Sequence, residues 1–351
     1  MTLAPDATGL YAPGRPVDPR QTLFPLRRGH ADPTLQWTPD GAAWRTQRTP
    51  EGIALVRMLA RRSAAPDSGA GGAGAAAAGS IAATEVELAA WGPGAAWSLR
   101  QAPELLGEGD DWSALDALLE PGALAGRAGA DAGASPIGPE VVAGLARVRR
   151  RHPGLRLLRT GIVLDSAVAA VLEQKVTGVE ARRAWRTLIR QHGEAAPGPA
   201  PEGMRVIPGP ERWRSIPDHD WHSAGVGPQR MRTIRRVAAV APALERTLAL
   251  GRGGPAVAAA LTSIPGVGEW TAAEITQRAH GDADAISVGD FHLAGLVGYA
   301  LTGERTDDAG MVRLLAPFSG HRQRIVRLIA TLGSTAPRQG ARMTIQDHRR
   351  H

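Results

Sequence analysis

Hydrophobic and polar positions follow two different periods along this chain. Before residue 120, apolar residues come in short runs bounded by Gly, Pro and Asp. TLQWTP (34–39), AAWRTQRT (42–49), GIALVRMLA (52–60), TEVELAAW (84–91) and AAWSLRQ (95–101) each predict a short strand. DDWSALDALLE (110–120) predicts a short helix. After residue 140 the spacing becomes helical in eight segments: 141–152, 161–193, 228–250, 255–264, 269–281, 292–301, 310–318 and 321–333. Pro, Gly and Asp separate them, and 195–203 (AAPGPAPEG) reads as a loop. The pattern predicts an α+β protein with an antiparallel β/α part over 21–125 and a helical part of about eight helices over 126–335. Residues 1–20 and 336–351 are expected to be unstructured tails. The Gly/Ala run 64–80 is expected to be a flexible hairpin insertion, and 121–140 a linker.

Composition narrows the chemistry. The chain has 351 residues and no cysteine, which excludes disulfides, thiolate metal sites, cysteine nucleophiles and iron–sulfur clusters. The formal net charge is +7, and it is unevenly placed. Residues 1–140 carry 11 basic and 16 acidic side chains, whereas 141–351 carry 30 and 18. Such a field suits a polyanion, most simply nucleic acid. Nearly all the positive charge is arginine, Lys175 being the only lysine. No apolar run approaches the ~18–20 residues of a membrane helix. The first ten residues show no signal-peptide pattern, so a cytoplasmic protein is expected; association with the nucleoid and a monomeric state are expected as well. His280, His292 and His321 have no metal-ligand spacing, and no residue pattern calls for a cofactor.

The most informative stretch is 261–293, LTSIPGVGEWTAAEITQRAHGDADAISVGDFHL. Pro265 stops one helix, Gly266 and Gly268 permit a tight turn with uncovered N–H groups, and a new helix starts near Trp270. That geometry can accept a phosphate without reading sequence. Val288-Gly289-Asp290-Phe291 follows, just before another helix. An aspartate there is ordinarily an N-cap.

This succession of helix, Pro-Gly-x-Gly hairpin, helix and loop aspartate resembles the helix-hairpin-helix DNA glycosylase superfamily. VLEQKVTGVEARRAW (171–185), WHSAGVGPQRMRTIRRVA (221–238) and PFSGHRQRIVRLIATLG (317–333) are similar to segments of its 3-methyladenine DNA glycosylase II branch. The resemblance implies a small TATA-binding-protein-like domain followed by a helix-hairpin-helix core. It implies excision of alkylated purines (3-methyladenine and 7-methylguanine type) from double-stranded DNA by base flipping in base excision repair. Asp290 would then be the catalytic carboxylate, stabilising the positive charge that develops on the sugar. Trp270 would stack on the flipped base in a pocket shared with Glu274. Gln174, Lys175, Gly266, Gly268, Thr271, His321 and Arg322 would contact DNA.

The departures from that pattern also matter. Bifunctional members carry a lysine just after the hairpin, where this chain has Trp270, so no lyase activity is expected. A tyrosine usual in the alkylation-repair branch is replaced by Glu274. The wedge position is Lys175, and Glu173 replaces a usual glycine. Glu274 is open between bonding a base amino group, attracting a cationic base, and facing solvent. Two other readings of the chain are a non-catalytic DNA damage-binding protein and a glycosylase for bulky or oxidised bases.

Overall fold

The structure is a computed structural model that describes residues 3–62, 84–124 and 137–333. The insertion 64–80, most of the linker and the tail 336–351 lie outside the described residues. Five antiparallel strands, β1 (Ala7–Tyr11), β2 (Leu35–Trp37), β3 (Ala43–Thr49), β4 (Gly52–Arg62) and β5 (Thr84–Trp91), form one sheet in the order β1-β5-β4-β3-β2. The β3–β4 register places Ala43 opposite Met58 and Arg45 opposite Val56. Val56, Met58, Val86 and Leu88 join a core with Ala95, Ala102 and Leu105 of helix α2 (Ala95–Leu105). The short α1 (Pro19–Leu23) adds Leu23 to it.

Two expectations fail here. Residues 3–20 are not an unstructured tail. β1 pairs with β5 from Ala7↔Ala90 to Tyr11↔Val86, and Asp18 caps α1 by accepting from the Gln21 N–H. Pro and Gly dominate the composition at the start, but one five-residue strand suffices to complete a sheet edge. AAWSLRQ is helix rather than strand. Gly92-Pro93-Gly94 ends β5, and the Ala95, Ser98, Ala102 and Leu105 side chains then fall at helical spacing on the sheet.

The helices form two cores. In the first, α5 (Val163–Leu172) is central, with Asp165 partly buried and every other residue buried. Around it pack α6 (Gly178–His192), α7 (Pro210–Ser215), α8 (Asp218–Ser223), α9 (Pro228–Ala239), α10 (Ala241–Arg246), α11 (Pro255–Thr262) and α12 (Glu269–Ile275). The second unites α3 (Ser113–Leu118), α4 (Pro139–Arg151), α13 (Leu293–Thr302), α14 (Asp308–Leu315) and α15 (Arg322–Leu332). Segment 161–193 is therefore two helices. The break needs no Gly or Pro. Lys175 takes a left-handed φ of 52°, and Thr177 with Glu180 builds a capping box that restarts the helix. The small pair β6 (Glu194–Ala195) and β7 (Arg205–Val206) follows α6, and Thr46 of β3 donates to the Arg205 carbonyl. Among the described residues no helix is long and apolar enough to cross a membrane.

Where α5 meets the sheet, a cavity of about 40 Å³ is lined by Asp165, Arg45, Thr160, Ser166 and Arg278, among others. That is room for a few waters. Burial pushes the Asp165 carboxyl up to about 7, against the pull of Arg45. Between about pH 4 and 7 the folded chain therefore binds a proton that the unfolded chain has released, so this group makes stability fall as pH rises. Asp165→Asn stays neutral and is expected to be more stable than the parent at pH 8, by on the order of 2 kcal/mol, with no gain near pH 4. Urea unfolding at the two pH values measures this.

Candidate active site

The two helical cores meet along a seam, and the candidate site sits on it. The first core supplies α12 and the turn before it. Val267 donates to the Ile264 carbonyl and closes the α11–α12 hairpin. Gly266 has φ 98°, and a Cβ there would lie 2.2 Å from the Thr233 hydroxyl, so only glycine lets the turn rest on α9. Among the described residues the Gly266 and Gly268 N–H groups donate to no protein acceptor. Gln174 ties this turn to the end of α5, its amide donating to the Gly266 carbonyl and the Thr271 hydroxyl, both at 2.9 Å. Lys175 is thus presented at the tip of a turn braced from several sides. Arg230 donates to the Leu172 carbonyl at 2.9 Å, and Glu173 pairs with Arg28 at 2.8 Å.

The second core supplies Asp290. Its Oδ1 accepts the backbone N–H groups of His292 (2.8 Å) and Leu293 (2.9 Å) at the start of α13. This is the capping contact expected of a lone aspartate. Its Oδ2 faces the other core, where the Trp270 indole N–H approaches it at 3.4 Å. The carboxylate is thus fixed through one oxygen and turned by the other toward the aromatic ring. Both side chains are half-buried, and the neighbouring Phe291 is 82% exposed.

Glu274, one turn beyond Trp270, does not face solvent. It accepts from the Ser287 hydroxyl and forms an i,i+4 ion pair with Arg278 at 2.8 Å. Arg278 in turn donates from Nε to the Pro25 carbonyl (3.1 Å), which brings the N-terminal segment over this end of the site. Burial disfavours the Arg278 charge, but Glu274 and Glu173 outweigh it and hold the guanidinium above its ordinary range. Arg278 lies in a π-helical turn, Thr276–His280, that extends α12. Such turns are rare and cluster at functional sites.

The structure brings Gln174, Gly266, Gly268, Trp270 and Asp290 together across the seam, with Lys175 beside them, whereas Thr271 is buried beneath the hairpin and Glu274 is nearly enclosed. His321 and Arg322 are half-buried and engage other side chains of the fold. Arg322 grips Asp284 with Nε (2.8 Å) and Nη2 (2.6 Å), and this contact holds the Asp284 carboxyl below its usual range against the effect of burial. The His321 ring nitrogen lies 2.6 Å from Arg324. Arg322 therefore braces the loop leading to Asp290, while His321 contacts Arg324 on its own helix. His280 is buried, and desolvation pushes it down to about 4, so it is neutral. Among the described residues no cluster of three His, Cys, Asp or Glu side chains could hold a metal. Sequence reasoning missed Ser287, Arg278 and Arg28. The i,i+4 spacing of Glu274 and Arg278 was the available signal for one pair. Arg28–Glu173 spans the chain and leaves none.

No protein-family model matches the sequence, and none of the curated proteins matches it. Solved structures do. The 3-methyladenine DNA glycosylase from Archaeoglobus fulgidus matches 92% of this chain and 97% of its own, with a TM-score of 0.65 and 14% identity. The 8-oxoguanine glycosylase/lyase of Clostridium acetobutylicum in its apo form matches over 94% and 98%, with a TM-score of 0.60 and 10% identity. The chain has the fold of the helix-hairpin-helix DNA glycosylases. MBOgg1, solved with a low-affinity DNA ligand, is a third example, at a TM-score of 0.60 and 12% identity over 95% of this chain. Within this glycosylase fold, the antiparallel sheet and the helices together account for nearly the whole length of each relative.

Proposed function

We propose that this protein is a monofunctional DNA glycosylase that releases alkylated purines of the 3-methyladenine and 7-methylguanine type from duplex DNA. The observation that carries the reading is the carboxylate of Asp290. It is anchored by two N–H groups and turned toward Trp270, beside a hairpin with free N–H groups. In this reading the Gly266 and Gly268 amides receive a phosphate of the damaged strand, assisted by the positive end of α12. Thr271 and Gln174 hold that turn in place. Lys175 enters the duplex or its backbone where the nucleotide leaves the stack. The flipped base stacks on Trp270, and a cationic base gains from the indole face. The sheet unit takes the place of the TATA-binding-protein-like domain.

The chemistry asks little of the protein. The C1′–N9 bond breaks and its electron pair leaves with the base, which departs neutral when it started as an N7-alkyl cation. Asp290 stabilises the positive sugar while this happens. Water then adds to C1′, and its proton passes to Asp290 and on to solvent. Arg322 acts through the Asp284 loop that presents Asp290.

Trp270 stands where a Schiff-base lysine would be needed, so the product is an abasic site in an intact strand. A duplex with one N7-methylguanine is expected to stay unbroken after incubation and to break at that site only after alkali. Borohydride is expected to trap no covalent adduct. Strand breakage without alkali, together with a trapped adduct, would show a lyase and overturn the monofunctional assignment.

A further inference from the structure

Two contacts join α12 to the loop before α13. Trp270 meets Asp290 at one, and Glu274 meets Ser287 at the other. The loop is held in register because the Asp290 N–H donates to the Ser287 carbonyl at 3.2 Å. Gln277 supports the second contact by donating to the Ser287 hydroxyl at 3.0 Å, and Gln323 in turn donates to Gln277. Trp270 and Glu274 lie one turn apart on α12, so on the glycosylase reading a base stacked on Trp270 with its sugar at Asp290 directs an edge toward Glu274.

Two facts decide what that edge must be. The Glu274 charge is balanced by Arg278 at 2.8 Å, and both side chains are nearly enclosed, with 12% and 13% exposed. A balanced pair exerts little long-range pull on a cation, so selection has to act through hydrogen bonds. A carboxylate offers about four acceptor positions. Ser287 and Arg278 occupy two of them, which leaves acceptors and no donor for the base. A guanine-type edge presents N1–H and the 2-amino group side by side, two donors for one carboxylate. An adenine-type edge sets an acceptor nitrogen beside its single amino group and would place lone pair against lone pair.

We infer that Glu274 reads the Watson–Crick edge of the flipped base, so that the site prefers guanine-derived to adenine-derived lesions. This rests on the glycosylase reading above and adds a specificity residue to it. Paired acceptors against paired donors give roughly tenfold discrimination or more.

The test compares two bases that differ only in the 2-amino group. N7-methylguanine and N7-methylhypoxanthine are placed singly in the same duplex, at about pH 6, where N1 keeps its proton. Single-turnover release by the unaltered protein is expected to be about tenfold faster for N7-methylguanine. Glu274→Gln keeps the shape and offers a donor in place of an acceptor, so it is expected to bring the two rates together. If that variant fails to fold by circular dichroism, the comparison on the unaltered protein decides alone. Equal release of both bases by the unaltered protein, or an unchanged ratio in a folded Glu274→Gln, overturns this inference and leaves the glycosylase reading standing. Release of neither base overturns both.

Discussion

Asp290→Asn is expected to lower the rate of base release by about 100-fold or more while duplex binding changes by no more than a few-fold. The substitution isolates charge from shape. The amide oxygen can still accept the His292 and Leu293 N–H groups, so the start of α13 stays capped. The loss is confined to the second oxygen, the one facing Trp270. An amide there carries no negative charge for the developing sugar cation, and it sets a second donor against the indole N–H. Hairpin, Gln174 brace and Lys175 tip lie on the other core and are untouched. Single-turnover release and binding to an abasic duplex, measured in parallel, separate the two effects. Equal loss of binding and release would assign Asp290 a structural capping role only.

The largest expected effect on stability lies behind the site. Asp110 is almost wholly enclosed, and its side chain accepts from Arg324 Nε (2.8 Å) and Nη2 (2.6 Å), from the Trp112 indole (2.5 Å) and from the Leu157 N–H (2.5 Å). Trp112 is itself faced by Arg149 and Arg324. Asp110→Ala strands a buried guanidinium and two other donors at once. Breaking one side of a buried pair costs about 3–5 kcal/mol. Urea unfolding is expected to show a loss of that size. Replacing both partners, Asp110→Leu with Arg324→Met, is expected to recover much of it, because no charge is then left unpaired. A loss below about 1 kcal/mol in Asp110→Ala would mean that water reaches the pair.

What was legible in the sequence was local. Pro265, Gly266 and Gly268 specify a turn by their own backbone limits, and Asp290 caps the helix that follows it. The hairpin and its aspartate could therefore be placed from residue order alone. Strands β2 to β5 were legible because each lies in a short run bounded by Gly, Pro or Asp. β1 and α2 were not. The residues of β1 carry no strong pattern and are ordered by pairing with Ala90 to Val86, a partner some eighty positions away. The sequence of α2 fits either period, and packing on the sheet selects the helix. The break at Lys175 was hidden because no Pro marks it and Gly178 falls inside the new helix. The capping box at Thr177 was its only trace, and Thr-Gly-Val-Glu inside an apolar run is easily read through. Arg322 looked like a phosphate contact because helix starts commonly bind anions. Its partner within the chain, Asp284, could be found only once the loop and α15 were brought together.

The central claim is that this seam cleaves N-glycosidic bonds. The most direct measurement is chromatography of the free bases released from methylated duplex DNA by the purified protein under single-turnover conditions. The account predicts free methylated purine, an equal number of abasic sites, and no release of unmodified bases. Tight duplex binding with no methylated purine released above the spontaneous rate would contradict it, and would leave a damage-binding protein with a glycosylase fold.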